Sequence, residues 1–410
     1  MSRTPRLVAV AATLALAGAG VVATSPTAEA RAHPARSTSH HASHHKATLK
    51  AHHKSHHKAH HTKRHHAPRL PVGVLASDLF TPLSAAVATD GTSYVTSSFG
   101  GQILRIRPRH DPEVVYTEPD GNEVEGLSVD GRVVTFLVSR TDPATGDYDG
   151  TWVKRLRPDG SVRTVADLYA HESSLNPDST TTYGFRDGDT TCDALWPADE
   201  IGAPATYTGV VDSHPYASTS RHGWTYVADA GGNDILAVSP AGRVRTVATL
   251  PGIGYTITED VASGFGLDPC FVGRTYYFEG VPTDIETGPH GRLYVSSLPG
   301  GPEGPELGAR GSIFTIDVAR HRARQVVSGL LGATGVAVSP TGTLYATQMF
   351  GNEISRITFG RGGPRVSTFA TPTTPGAVEW TRWGVVATTD VLSGTDGTSA
   401  PAAQLVNLGF

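Results

Sequence analysis

Gly335-Val-Ala-Val-Ser-Pro-Thr-Gly-Thr-Leu-Tyr-Ala-Thr347, then Gly351-Asn-Glu-Ile-Ser-Arg-Ile357, then Arg365-Val-Ser-Thr-Phe369 form one complete copy of a phrase that recurs about six times between Leu70 and Phe410. Within it, Leu344 and Ala346 alternate with Tyr345 and Thr347, the period of two that puts successive side chains on opposite faces of a strand. Turn residues separate four such strands, among them Asp90-Gly91, Asp130-Gly131, His222-Gly223, His290-Gly291 and Thr341-Gly342. Four short strands repeated every ~40–45 residues are the signature of propeller blades.

The register can be followed through one marker position in the second strand: Tyr94, Val134, Tyr226, Tyr294, Tyr345 and Val386. The intervals are 40, 92, 68, 51 and 41 residues, so the two long ones carry insertions, at about residues 170–209 and 251–279. Fourth strands share a flavour: Arg163-Thr-Val-Ala-Asp-Leu168, Arg245-Thr-Val-Ala-Thr-Leu250 and Arg324-Gln-Val-Val-Ser-Gly-Leu330. Gly73-Val-Leu-Ala-Ser-Asp-Leu79 has the same character but precedes the first blade, whereas the last blade has no fourth strand after Gln404-Leu-Val-Asn-Leu-Gly-Phe410. The expectation is an all-β, six-bladed β-propeller over residues 70–410, closed by the N-terminal strand completing the last blade; closure removes a long unpaired sheet edge. One helix is expected, capped by Asp167 and stopped at Asn176-Pro177.

Upstream of the propeller, Arg3 and Arg6, the apolar run Leu7–Val22 and Ala28-Glu29-Ala30 read as a signal peptide over residues 1–30. Cleavage after Ala30 is expected, with Ala32 as the alternative site; an uncleaved anchor is the other reading, and no later segment reaches 18 apolar residues. Residues 31–69 carry nine Lys and Arg and no acid, whereas residues 70–410 carry 23 cationic side chains against 37 acids, a net charge of −14. Thirteen of the 19 histidines fall between His33 and His66. A segment of this composition cannot bury a core, so a disordered tail is expected. Its pairs His40-His41, His44-His45, His52-His53, His56-His57 and His60-His61 offer imidazoles suited to Zn, Ni or Cu. The same basic tail suits anionic cell-wall polymers, while the signal peptide and the acidic domain argue against nucleic acid. The localisation expected is secreted, extracellular or cell-wall associated, and Arg-over-Lys, Ala- and Gly-rich usage is of an actinobacterial kind.

Cys192 and Cys270 fall one in each insertion, and in an exported chain two cysteines usually pair. Both insertions precede a blade's first strand and should emerge together on one face as a lid or rim. Complete catalytic motifs are absent: His171-Glu172-Ser173-Ser174-Leu175 lacks the second His of a zinc-protease helix, and Asp147-x-Asp149-Gly150 and Asp187-x-Asp189 lack the closing Glu of a calcium loop. Where first strands enter the channel, Ser84, Glu125, Asp212, His214, Asp284 and Glu286 are the candidate site residues, as acid, base, metal ligand or hydrated lining.

Val211-Asp-Ser-His-Pro-Tyr216, Tyr226-Val-Ala-Asp-Ala-Gly-Gly-Asn-Asp-Ile-Leu236, Val281-Pro-Thr-Asp-Ile-Glu286 and the Gly/Pro-rich run Leu298–Gly311 together resemble the ScyD/ScyE family of secreted bacterial propellers, over about residues 70–369. The resemblance implies a six-bladed, TolB-like or NHL-like propeller and brings no catalytic residues. The function expected is therefore a secreted, non-catalytic propeller binding a small ligand or secreted protein at its insertion-bearing face. The alternatives are a metal-dependent hydrolase or lyase, marked by Glu125, His214 and Asp284 converging around a cation, and a metal-buffering or wall-adhering protein acting through the tail.

Overall fold

The structure, a computed structural model, describes residues 70–302 and 304–410. The expected signal peptide and the histidine pairs of the expected tail lie outside the described residues.

Nearly every regular element is a strand, and the strands form seven four-stranded antiparallel sheets. Six follow the repeated phrase. Written from first to fourth strand, the sheet of Tyr94 holds Ala85–Val87, Ser93–Ser97, Gln102–Ile106 and Glu113–Thr117. The next holds Glu123–Asp130, Val133–Thr141, Tyr148–Leu156 and Val162–Asp167. The third runs Pro215–Arg221, Trp224–Asp229, Asp234–Val238 and Val244–Thr249, and the fourth Pro282–Thr287, Leu293–Ser297, Gly311–Asp317 and Arg322–Leu330. The fifth is Ala333–Val338, Leu344–Gln348, Glu353–Gly360 and Gly363–Ala370.

The sixth joins both ends of the described chain: Val378–Thr381, Gly384–Thr389 and Ala403–Asn407 are completed by Gly73–Leu79, with Gly73 opposite Asn407 and Leu79 opposite Ala403. Leu70, Ala76 and Leu79 pack there against Val95, Ile106, Val386 and Leu405, so the closing strand is apolar on its inward side. The first strands of these six sheets touch one another in sequence and the sixth touches the first again, a closed cycle. Burial falls from inner to outer strand, as in Val133–Thr141 against Val162–Asp167.

A seventh four-stranded sheet, beyond the six expected, lies outside that cycle. It is assembled from both insertions, in the order Thr206–Thr208, Thr182–Phe185, Thr275–Phe278, Ile253–Thr256. Its strands have three or four residues each and come from segments remote in sequence, so no repeated phrase announces them. It has a core of its own: Phe185, Phe271, Tyr276 and Trp196 stack edge-on and face-on at centroid distances of 4.9–5.3 Å, packed with Ile257, Leu267 and Leu307. The Cys192–Cys270 disulfide ties the two insertions, with Cα atoms 6.0 Å apart. Arg274 reinforces it, its guanidinium 2.6 Å from Asp187 and 2.7 Å from Asp193.

The helix capped by Asp167 spans Leu168–Leu175 and stops at Asn176 in the left-handed region, satisfying the sequence signals. Short helices at Thr190–Asp193, Ala198–Ile201 and Glu259–Gly264 were not expected; one to two turns give too little periodicity to read. Among the described residues no helix is long and apolar enough to cross a membrane.

Candidate metal centre

Glu123 and Glu125 lie two residues apart at the start of the second sheet's first strand, which places both on one face of it. The strand is bulged immediately afterwards: its register shifts between Glu125 and Ser128, and Gly126 has φ +57°. A Cβ at Gly126 would collide with Leu137 Cδ1, so glycine is required for the bulge on both counts. The bulge takes Glu125 out of the channel-lining register and turns it toward the third sheet. There His214, the last residue before Pro215–Arg221, meets it.

His214 Nε2 is 3.2 Å from Glu125 Oε2 and 3.2 Å from Glu123 Oε2, and the three ligand atoms lie within 4.8 Å of one another. The ring is fixed by Tyr148, stacked on it at 4.0 Å with a 20° interplanar angle. Its backbone N–H donates to Asp229 Oδ1 at 2.7 Å, and the Ser213 hydroxyl donates to Asp229 Oδ2, also at 2.7 Å. Thr151 Oγ1 to Ser213 Oγ (2.7 Å) ties this loop to the second sheet. Glu125 and His214 are buried, while Glu123 is partly open to solvent and marks the way in.

The electrostatics call for positive charge at this point. Burial pushes the Glu125 carboxyl up, against the opposing pull of His214. Burial alone would lower His214, but Glu125 and Glu123 outweigh it and hold the imidazole well above its ordinary value. Neither Glu125 oxygen has a hydrogen-bond partner at bonding geometry, nor does His214 Nδ1. Two carboxylates thus share one small space with an imidazole that either carries a proton or, neutral, joins them as a ligand. Ligand atoms held ~2.0–2.1 Å from a tetrahedral ion are themselves ~3.3 Å apart, close to the two separations observed.

The other expected site residues separate into distinct places. Asp212 is half-buried beside this centre, pushed up to about 6 by burial. Asp284 does not join Glu125 and His214, so the trio that would have marked the enzyme alternative does not form with it. It lies in the central channel with Glu286 and Ser84, around a narrow cavity of ≈ 20 Å³ shared with Tyr216 and Glu379. Asp284 accepts from the N–H groups of Ile285 and Val336, both at 2.8 Å, yet burial pushes it up to about 7. Burial and the neighbouring Glu379 and Asp284 carboxylates raise Glu286 well above the ordinary range. Ser84 is structural: its Oγ accepts from Leu127 N at 2.8 Å.

Sequence reasoning missed Glu123, Tyr148 and Glu379. Glu123 had a signal, the Glu-x-Glu spacing that keeps two side chains on one strand face. Glu379 had another: it pairs with marker Val386 as Glu286 pairs with marker Tyr294, the same register position two sheets on. Tyr148 had none, because it comes from a third strand.

A second cavity of ≈ 330 Å³ opens in the seventh sheet, walled by Trp196, Tyr255, Ile257, Phe265, Tyr276 and Leu307. Trp196 Nε1 donates to Ala203 O and Tyr276 Oη to Pro204 O, both at 2.9 Å, so both polar handles are committed to the insertion's own backbone.

No family model and no curated protein matches this chain. Among solved structures it is similar to virginiamycin B lyase from Staphylococcus aureus, at 17% identity and TM-score 0.41, covering 77% of this chain and 80% of that one. It is also similar to the PQQ-bound aldose sugar dehydrogenase from Streptomyces coelicolor, at 12% identity and TM-score 0.47, covering 83% and 97%. A gluconolactonase from Xanthomonas campestris matches at 13% identity and TM-score 0.46, covering 83% and 91%. None of these activities is carried to this chain by such likenesses.

Proposed function

We propose that this chain is a secreted, metal-dependent propeller enzyme of hydrolase or lyase type, in which Glu123, Glu125 and His214 hold one divalent cation. The observation that carries the reading is the 3.2 Å approach of His214 Nε2 to both carboxylates, with Glu125 and His214 buried and His214 Nδ1 and Glu125 Oε1 without a hydrogen-bond partner. Two carboxylates and one imidazole suit Zn²⁺ or Mn²⁺, and three protein ligands leave coordination positions open. A cation so held polarises a carbonyl or acidifies a bound water. Tyr148 keeps the imidazole oriented, and the partly open Glu123 side is the approach. This reading takes up the hydrolase or lyase alternative in place of the non-catalytic binder, with Glu123 rather than Asp284 as the third residue.

The propeller is read as a six-sheet ring, from the closed cycle of first strands, with the seventh sheet as an accessory beside it. Export through residues 1–30, a metal-capable or wall-adhering tail over 31–69, and kinship with the ScyD/ScyE propellers belong to the same proposal. The disulfide supports export.

The test uses a chain beginning at Leu70, free of the tail's histidines. After incubation with Mn²⁺ or Zn²⁺ and desalting, it should retain one ion per chain, and His214→Ala should retain none. No retained ion in either protein would return the trio to an imidazolium bridging two carboxylates. Ligand binding without turnover is the second reading, favoured by the aromatic cavity of the seventh sheet. Filling that cavity with Leu307→Trp should then abolish binding of an apolar fluorescent probe.

A further inference from the structure

The helix Leu168–Leu175, which failed as a protease motif, turns Glu172 inward to a place the proposed enzyme reading does not use. Glu172 is 2% exposed, Asp178 1%, Asp229 1% and Asp234 0%. Four carboxylates are therefore buried around the turn Asp229-Ala-Gly-Gly-Asn-Asp234. None is paired with a lysine or arginine among the described residues.

Their hydrogen bonding divides them. Asp229 is satisfied by His214 N, Gly232 N and the Ser213 hydroxyl. Asp178 Oδ2 accepts from Tyr183 Oη at 2.9 Å and Asn233 Nδ2 at 3.2 Å, but its Oδ1 has no partner. Both oxygens of Asp234 and Oε1 of Glu172 have none either. The Thr246 hydroxyl, 2.9 Å from His171 Nε2, also faces Asp234 and offsets its burial only in part. Leaving several buried carboxylate oxygens without donors costs more than a fold this closely packed should leave uncompensated.

Gly232 shows where the compensation belongs. The point a Cβ would take there is 3.2 Å from Glu172 Oε2, 3.5 Å from the main-chain oxygen of Asp212 and 3.6 Å from Asp234 Oδ1. Three oxygens from three segments thus face one small space that a residue without a side chain leaves clear. Each is an acceptor, and all are hard oxygen donors, the set that selects Ca²⁺ over Zn²⁺ or Cu²⁺.

We propose that Glu172, Asp234 and the Asp212 carbonyl form a structural Ca²⁺ site above Gly232, pinning the base of the first insertion to the third sheet. Asp178, held by Tyr183 and Asn233, adds a neighbouring negative charge without being one of the three oxygens. The cation joins the helix after the second sheet's fourth strand to the turn that carries Asp229. That makes it a clamp on the segment leading to His214, adjoining the candidate centre but sharing none of its three ligands.

The test is the melting temperature of the full chain at neutral pH, in EGTA and across a CaCl₂ titration reaching about 10 mM, above the weakest extracellular calcium sites. At a hundredfold excess over Kd the melting temperature should rise by about 4 °C for a domain of this size. Equilibrium dialysis should show one Ca²⁺ per chain. Asp234→Asn, which keeps the shape and removes the charge, should abolish both, and Glu172→Gln serves if that variant does not fold. His214→Ala should leave both intact. No calcium effect on the parent would overturn the site, as would an effect that survives both carboxamide variants or is lost in His214→Ala.

Discussion

Leu79→Ala tests the closure of the ring at one residue. Leu79 is 4% exposed and packs in the cluster that joins the closing strand to Val95, Ile106, Val386 and Leu405. Truncating a buried leucine costs about 2–5 kcal/mol, from lost transfer energy plus the cavity left behind. Against a typical domain stability of ~5–15 kcal/mol this is a large fraction. Removing residues 70–80 should cost more. It strips two buried leucines at ~1.5–3 kcal/mol each, leaves the edge Ala403–Asn407 unpaired, and frees Asn407 Nδ2 from the Leu70 and Pro71 carbonyls. Urea unfolding is the assay. Leu79→Ala should lower the midpoint with an unchanged slope, because the same surface is exposed on unfolding. The shortened chain should lose its cooperative transition at the parent's midpoint. A loss below ~0.5 kcal/mol for Leu79→Ala, the range of ordinary surface changes, would show that this strand does not hold the last sheet.

Opening the Cys192–Cys270 bridge should lower stability by up to about 4.5 kcal/mol in the chain-entropy account, and a non-reduced digest should show the two peptides linked; two free thiols in the protein as its host makes it would contradict the pairing. The channel acids set a pH dependence. Asp284 is held at about 7 in the folded chain, and burial raises Glu286 and Glu379 as well, so the fold binds protons more tightly than the unfolded chain. Their stabilisation is full below the ordinary carboxylate pKa and is lost as pH rises through the folded values, so in EDTA the melting temperature should fall between about pH 5 and 8. Glu379→Gln should flatten that slope, and a melting temperature that rises over this range would refute the assignment. Gly126→Ala forces a side chain into Leu137 at positive φ; it should weaken cation retention more than it lowers the melting temperature, and unchanged retention would show that the bulge does not aim Glu125.

Much of this architecture is legible from spacing because a propeller repeats itself. The marker residues from Tyr94 to Val386 give the register, and the strand Gly73–Leu79 announces its place by resembling the ends of other blades. The seventh sheet was not legible: Thr182–Phe185 and Thr275–Phe278 pair through residues 91 and 93 positions apart, and nothing local in four-residue strands shows such a partner. Glu125 and His214 could be singled out as polar residues where first strands enter, but their meeting depends on the bulge at Gly126. Without that bulge Glu125 would line the channel with Asp284, which is what regular alternation implies. Glu172 and Asp234 look unremarkable in sequence, since only the fold brings an insertion's helix against a third strand.

The most direct measurement is anomalous diffraction from crystals of the chain beginning at Leu70, grown with Mn²⁺. The account predicts an anomalous peak ~2.0–2.3 Å from His214 Nε2 and from an oxygen of each of Glu123 and Glu125, absent in His214→Ala crystals. Well-ordered side chains with Nε2 bonded directly to both carboxylates, and no peak between them, would contradict it.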